Sequence, residues 1–372
     1  MVNIEIHPYL NRCLGKVLEM NGQDLFLKVG SVPRVRVGGV VHPLAFEAPR
    51  EEEIKAIANA ILNPVQQGLL EKNKSVDFAF SLPGTEQRFR GNIFYQQGTY
   101  SLVIRRLWRT IPSFEELHIP SILKKIALER SGIILVGGMV ASGKTTTINA
   151  MINLMNQKVE RHIVTIEDPV EYLHEDKKCV INQREIGQDA DDFSSALKYV
   201  VRQSPDVVVL GEMRDVDSFS FALAASEVGR LVISTIHAKS VAQIFDRVLD
   251  FFPADNREAV LNHLSYHVTC FVVEKLLIAK DRNMLIPAFE ILTGNAIVRN
   301  LVREKDFDKI PQAMRNANQE GMQTMDQALF ALWQDGSIST EEALAASERP
   351  QDLEQTMRGI RIDSHNVRIL GA

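Results

Sequence analysis

The 372-residue sequence predicts an α/β protein of two domains. Three observations carry that reading. Residues 1–108 hold several short stretches that alternate apolar and polar side chains at strand period, with one long amphipathic helical stretch among them. The segment "WRTIPSFEELHIPSIL" carries two prolines and breaks the pattern, which places a linker at 109–120. From 121 to 372 the rhythm turns to strand–helix alternation, with nearly continuous apolar runs of the kind found in a parallel sheet covered on both faces.

In the first domain "DLFLKVG" (Asp24 to Gly30) and "RVRVGGVVHPL" (Arg34 to Leu44) read as strands, with Gly38-Gly39 as a hairpin turn. "PREEEIKAIANAILNPVQQGLLEK" reads as a helix opened by Pro49 and three acids. Its residues Ile54, Ile57, Ala58, Ile61 and Leu62 fall at helical spacing and form the face that meets the sheet. "VDFAFSL", "QRFRGNIFYQQ" and "TYSLVIRRL" add three strands. In the second domain "GIILVG" leads through a glycine-rich loop into a helix near 144–157. "HIVTIED", "DVVVLGEM" and "RLVISTIH" are buried strands, with "DDFSSALKYVVRQSP" and "DSFSFALAASEVG" as helices between them. Beyond Ser240 the pattern is mostly helical, apart from a hairpin at "CFVVEKLLIAKDRNMLIPAFEIL".

Composition narrows the function classes. With 45% hydrophobic and 24% charged residues the chain is an ordinary globular protein. The net charge of -5 leaves no whole-chain footprint for nucleic acid. Cys13, Cys179 and Cys270 lie far apart without a C-x-x-C pair, which argues against structural zinc and points to a reducing compartment. No apolar run approaches the ~18–20 residues of a membrane helix, and the N-terminus lacks signal-peptide layout. The expectation is a soluble protein whose membrane contact, if any, is peripheral.

The chemistry starts at "GMVASGKT", Gly138 to Thr145, which fits the G-x-x-x-x-G-K-[ST] phosphate loop between a strand and a helix. Backbone N–H groups from Gly138 through Ala141, Ser142, Gly143 and Thr146 are expected to converge on ATP phosphates, aided by the helix dipole. Lys144 is expected to reach the β- and γ-phosphates and the Thr145 hydroxyl to hold Mg²⁺. "VTIEDPVEY" sets Glu167, Asp168 and Glu171 within five residues at the end of a strand, a supply of bases for water activation and Mg²⁺ ordering. "DVVVLGEMRD" offers Glu212 as the Walker B acid toward Mg²⁺ or its water, and "STIHAKS" places His237 at a further strand end. A lone histidine there is as readily a capping residue as a functional one. Arg88, Arg90, Arg105, Arg106 and Arg109 cluster at the end of the first domain, where they read either as a solvated strand face or as arginine fingers for a neighbouring subunit.

Taken in order, the glycine loop, "TIEDPVEY", "INQREIG", "LGEMRD" and "STIHAKS" resemble the secretion-type ATPases of type IV pilus and type II secretion systems. "IVRNLVRE" and "GMQTMDQALFALWQDGSISTEEAL" are similar to C-terminal signatures of the pilus retraction branch, and the four-cysteine zinc module of assembly and secretion motors is missing. The resemblance covers roughly residues 10 to 350. It implies a PAS-like N-terminal domain, then a RecA-like ATPase domain with a helical C-terminal region, assembled as a homohexamer. It further implies ATP-driven pilus disassembly at the cytoplasmic face of the inner membrane, with an inner-membrane platform protein and a paralogous retraction ATPase as partners. By position, the family's catalytic glutamate falls on Glu171, its Walker B glutamate on Glu212 and a His-box histidine on His237. Its arginine fingers fall in the region of Arg90, Arg105 and Arg106.

Three positions depart from the family pattern: Ala141 stands for a loop glycine, Arg230 for the first His-box histidine and Phe26 for an N-terminal histidine. If position 141 needs φ > 0, alanine is strained there. Glu227, three residues before Arg230, is a candidate partner for it; unpaired, the guanidinium is expected to engage phosphate or a carboxylate across the subunit interface. Two other classes compete with the motor reading. One is a weakly active structural paralogue beside a stronger motor. The other is a nucleic-acid-translocating ATPase, against which the acidic balance counts.

Overall fold

A computed structural model describes residues 6–85, 87–107, 110–281, 284–363 and 366–369. The chain divides into two compact units. The first gathers residues up to Ile111 together with Glu167–His174 and Gln183–Ser195; the second holds Pro112–Ile166, Glu175–Asn182 and the chain from Ala196 onward.

The first unit contains α1 (Pro8–Glu19), β1 (Asp24–Lys28), β2 (Ser31–Val37), β3 (Val40–Pro43), α2 (Glu51–Ile61), α3 (Pro64–Asn73), β4 (Ser75–Ser81), β5 (Arg88–Gln96) and β6 (Thr99–Arg106). Its six strands form one antiparallel sheet in the order β3-β2-β1-β6-β5-β4. Gly38 and Gly39 join β2 to β3 with φ of 54° and 85°, the pair of positive values that a type I′ turn demands. Strand alternation sends Leu25, Leu27, Val35, Ile93, Leu102 and Ile104 into the core, where they meet Leu10, Leu14, Ile54 and Ile57 from the helices. Each such burial contributes roughly 1.5–3 kcal/mol before chain entropy is counted. The opposite face keeps its polar residues, Asp24, Arg36, Arg90 and Arg105 among them.

The second unit holds α4 (Ser121–Ala127), β7 (Gly132–Gly137), α5 (Lys144–Lys158), β8 (His162–Glu167), β9 (Val180–Glu185), α6 (Phe193–Val200), β10 (Val207–Leu210), α7 (Val216–Glu227), β11 (Leu231–Ile236) and α8 (Val241–Phe251). It continues with α9 (Arg257–His267), β12 (Val268–Ile278), β13 (Leu285–Thr293), α10 (Ala296–Arg303), α11 (Ile310–Asn316), α12 (Met325–Gln334), α13 (Thr340–Ala346), α14 (Pro350–Met357), β14 (Ile360–Asp363) and β15 (Asn366–Ile369). The ends of β8 and β9 and the start of α6 belong to the segments that gather with the first unit. A seven-stranded sheet runs in the order β13-β12-β7-β11-β10-β8-β9. Strands β12, β7, β11, β10 and β8 are parallel, and β7, β10 and β11 are buried along their whole length. In register, Ile236 of β11 and Val273 of β12 flank Gly137, so the carboxyl ends of these strands surround the loop that leaves β7. That is where ligands collect in open α/β sheets. Among the described residues no helix is long and apolar enough to cross a membrane.

The long helix expected after Pro49 is two helices. Pro64 cannot supply the N–H that a continuing helix needs and pushes Asn63 into extended geometry (φ -73°, ψ 166°). Asn63 then caps α3, its side chain accepting from the Gln66 N–H while Gln66 reaches back. The helix starts at Glu51 rather than at Pro49. The hairpin expected after Ser240 is β12–β13, but β12 also pairs in parallel with β7 and so extends the main sheet.

Candidate active site

In the second unit the loop from Gly138 to Gly143 turns from β7 into α5. Lys144 opens that helix, and its Nζ donates to the Gly138 and Met139 carbonyls at 3.0 and 2.7 Å. Burial holds its pKa below that of an ordinary lysine, against the pull of Glu212 and Glu274. Thr145 and Thr146 follow in the first turn, and the Ser142 hydroxyl is buried without a hydrogen-bond partner among the described residues. The backbone does bend at Ala141 to φ 63°, so the alanine sits in left-handed geometry. Such a residue costs about 1–2 kcal/mol relative to right-handed geometry.

Glu212 follows β10. Gly211 N–H donates to Ile166 O, Met213 N–H to Thr235 O, and Thr235 Oγ1 to Gly211 O, which pins this short segment from both sides. The Glu212 carboxylate lies 2.8 Å from His237 Nε2 and accepts from Arg214 Nε at 2.6 Å. His237 and Glu212, from the ends of different strands, are therefore one pair. Lys144, Thr145, Glu212 and His237 thus come from three adjacent strand ends, and a hydroxyl with a carboxylate is a hard-oxygen set that fits Mg²⁺.

Glu274 stands in an apolar run, "CFVVEKLL", that gives no sequence signal of a site. It is 3% exposed on β12 and accepts from Thr147 Oγ1 at 2.8 Å. A side chain on Gly143 would strike its carboxyl and one on Gly138 its backbone carbonyl, at 2.3 and 2.7 Å. Both loop glycines are therefore close-approach positions against this residue.

The first unit holds a separate cluster. In register across the sheet, Arg36, Asp24, Arg105 and Arg90 form one row. Asp24, 4% exposed, accepts from Arg105 Nε at 2.7 Å and from Arg36 Nε at 3.0 Å. Arg90 lies 3.9 Å from Glu171, whose pKa burial raises while Arg90 and Arg105 pull it back. Arg88, two residues from Arg90, donates to Val170 O at 3.1 Å and lies 3.4 Å from Glu185. Gln183 donates to Glu167 at 3.2 Å and to Tyr172 O at 2.8 Å. Strand alternation turns Arg106 away from Arg105, and it donates instead to Gln87 and Asn21. Arg109 lies outside the described residues.

The family model for "Type II/IV secretion system protein" matches residues 72–332. The type IV pilus ATPase PilU of Pseudomonas aeruginosa is 35% identical over 92% of this chain and 89% of its own length. The chain belongs to the type II/IV secretion system protein family. PilT of the same organism, a type IV pilus retraction ATPase, is 36% identical over 90% of this chain and 96% of its own. The solved structure of the pilus retraction motor PilT with bound ADP superposes with a TM-score of 0.86, at 35% identity, over 93% of this chain and 99% of that one. This member is thus an ATPase of the retraction branch, with the mixed α/β fold of PilT.

Two departures from the family pattern now have surroundings. Arg230 does not pair with Glu227, which is bonded to His263 Nδ1; its partner is Asp206, at 3.8 Å. Gly229, at φ 83°, ends α7 and turns Arg230 toward the amino end of β11, beside Gly132. His237 and the loop lie at the carboxyl ends, six residues or ~20 Å along the strand. Within one chain Arg230 therefore does not reach the loop. Phe26 lies on the same strand face as Asp24, with the Arg36 guanidinium 5.3 Å from its ring centroid in a cation–π contact.

Proposed function

We propose that this chain is an ATP-hydrolysing motor that retracts type IV pili, working as a homohexameric ring at the cytoplasmic face of the inner membrane on a platform protein. The observation that supports it most is the phosphate loop with Lys144 at the carboxyl ends of β7, β10, β11 and β12, in a chain similar to PilT and PilU along nearly its whole length. Residues 1–108 serve as the N-terminal domain, 109–120 as linker and 121–372 as the ATPase domain.

In this reading the loop N–H groups from Gly138 to Thr146 hold the phosphates, and Lys144 leaves its two carbonyls to pair with them. Thr145 and Glu212 hold Mg²⁺, which supplies charge neutralisation on the phosphates when bound. His237 and Arg214 fix the Glu212 carboxylate between them. Glu171 takes a proton from the attacking water, a task favoured by the burial that makes it more basic. Arg105 acts on the nucleotide of a neighbouring subunit once it leaves Asp24.

A second reading, an accessory paralogue of low turnover, is favoured by the strained Ala141 inside the loop. One experiment separates the two: pilus retraction in cells lacking only this protein, complemented with wild type or Lys144→Ala. The motor reading expects retraction to stop and only wild type to restore it. Retraction without this chain, or rescue by the lysine variant, sinks it.

A further inference from the structure

Glu274 lies against both loop glycines, Gly138 and Gly143, and the proposed chemistry does not use it. Its carbonyl lies against Gly138 and its carboxyl against Gly143 and Thr147, at the foot of α5. Among the described residues no cation bonds it, since the Lys144 ammonium is taken by the Gly138 and Met139 carbonyls. We infer that Glu274 is a positioning residue of the phosphate loop that works as an uncharged acid, so that the loop accepts phosphate readily only while this carboxyl keeps its proton. The inference rests on the nucleotide reading above and adds a proton to it.

An ionised Glu274 would crowd negative charge against bound phosphate. A buried carboxylate with a single neutral hydroxyl for a partner is costly, and burial pushes Glu274 up to about 8, against the opposing pull of Thr147 and Lys144. The groups facing it are few. Lys144 and Thr147 come from α5, Gly138 follows β7, and Phe289 of β13 lies opposite in register. Val272 and Cys270 share its face of β12, with the Cys270 thiol pushed far up by burial and so neutral. Lys144 is the charge whose field reaches it, and phosphate would claim that charge. Bound phosphate then raises the proton affinity of Glu274 further, and by linkage nucleotide affinity falls as pH rises past the free carboxyl's range.

The test is ADP affinity of the full chain between pH 7.5 and 9, a window in which phosphate groups with second pKa near ~6 no longer titrate. For a carboxyl about one unit more basic in the complex, wild-type affinity weakens roughly fivefold across it. Glu274→Gln mimics the neutral acid and is expected to hold its affinity within about twofold over the same window. Thr147→Val removes the donor that favours the charged form, so its drop is expected to start at higher pH than in wild type. An unchanged slope in Glu274→Gln would assign the titration to Lys144 and overturn the inference. A Thr147→Val profile superimposed on wild type would overturn it too, even if the glutamine variant did not fold. Absence of ADP binding by wild type at every pH would sink the nucleotide reading itself, a result distinct from a flat but measurable profile.

Discussion

The two charged regions of this protein handle their cations in opposite ways. In the second unit Lys144 is bonded to neutral backbone carbonyls, with Glu274 and Glu212 near enough to act on it only through their charge. In the first unit Arg105 is already ion-paired to a buried carboxylate and Arg90 lies beside Glu171. A cation held by carbonyls exchanges them for phosphate at little cost. A guanidinium paired to Asp24 must first leave a charged hydrogen bond worth about 1.5–3 kcal/mol, less here because Arg105 is largely exposed. The lysine is ready for a ligand that enters its own loop, whereas the arginine is held until something stronger arrives.

The largest effect should come from the lysine. Lys144→Ala is expected to lower ATP turnover by at least ~10²–10³-fold with an unchanged melting curve, because two hydrogen bonds to a solvated loop are all the fold loses. Normal turnover in that variant would remove the contrast altogether. Next comes Glu171→Gln, expected to bind ATP yet hydrolyse it ~10²-fold more slowly, the scale for a lost base. If Glu212→Gln were inactive and Glu171→Gln near wild type, the base would belong to the second unit.

Two smaller effects sharpen the first-unit side. Asp24→Asn leaves Arg36 and Arg105 without their shared acid and is expected to cost about 1–2 kcal/mol of stability, while Arg105→Ala costs less than about 1, since Arg36 still neutralises Asp24. Turnover should fall in Arg105→Ala only under conditions where the ring is assembled, which dilution of the sample checks. An equal loss in a verified monomer would make Arg105 a residue of its own chain's site. On the other side, Ala141→Gly relieves left-handed strain and is expected to raise unfolding free energy by about 0.5–1 kcal/mol, offset in part by glycine's looser unfolded chain. A lower melting temperature in that variant would show that the alanine methyl packs usefully in the loop.

The same contrast explains what the sequence made legible. The phosphate loop is local: strand, glycines, lysine and helix follow one another, and each signal agrees with its neighbours. The Gly38-Gly39 hairpin was legible for the same reason. The Arg36–Asp24–Arg105–Arg90 row was half legible, because period 2 gives each strand's face but not which strands become neighbours. Glu274 was hidden, since one acid in an apolar strand is silent until the fold puts glycines against it. The α2–α3 break was readable in principle at Asn63-Pro64, where the apolar spacing outweighed the proline. The α1 helix also carried its signal, with Leu10, Cys13, Leu14 and Val17 at helical spacing and all buried. The pairing of Arg230 with Glu227 failed because a glycine stands between them: Gly229 ends the helix, and the i,i+3 geometry ends with it.

Arg230 therefore yields the smallest expected effect. Its guanidinium is more than a third exposed, and its contact with Asp206, half-exposed itself, spans 3.8 Å at the amino end of β11. Pairs of that kind contribute about 0–1 kcal/mol, and histidine keeps part of the contact when protonated. The backbone is unaffected, because the hydrogen bonds from Arg230 N–H to Ala225 O and from Gly132 N–H to Arg230 O use no side-chain atom. Arg230→His is accordingly expected to change turnover by less than about twofold and stability by less than about 0.5 kcal/mol. ATPase rate against pH, measured for both proteins, checks it. A pH dependence that appears only in the histidine variant, with a large loss of rate, would mean that position 230 meets a group supplied by another subunit. In that event the protein would hold a third charged region, built at the amino ends of the parallel strands and completed only in the ring.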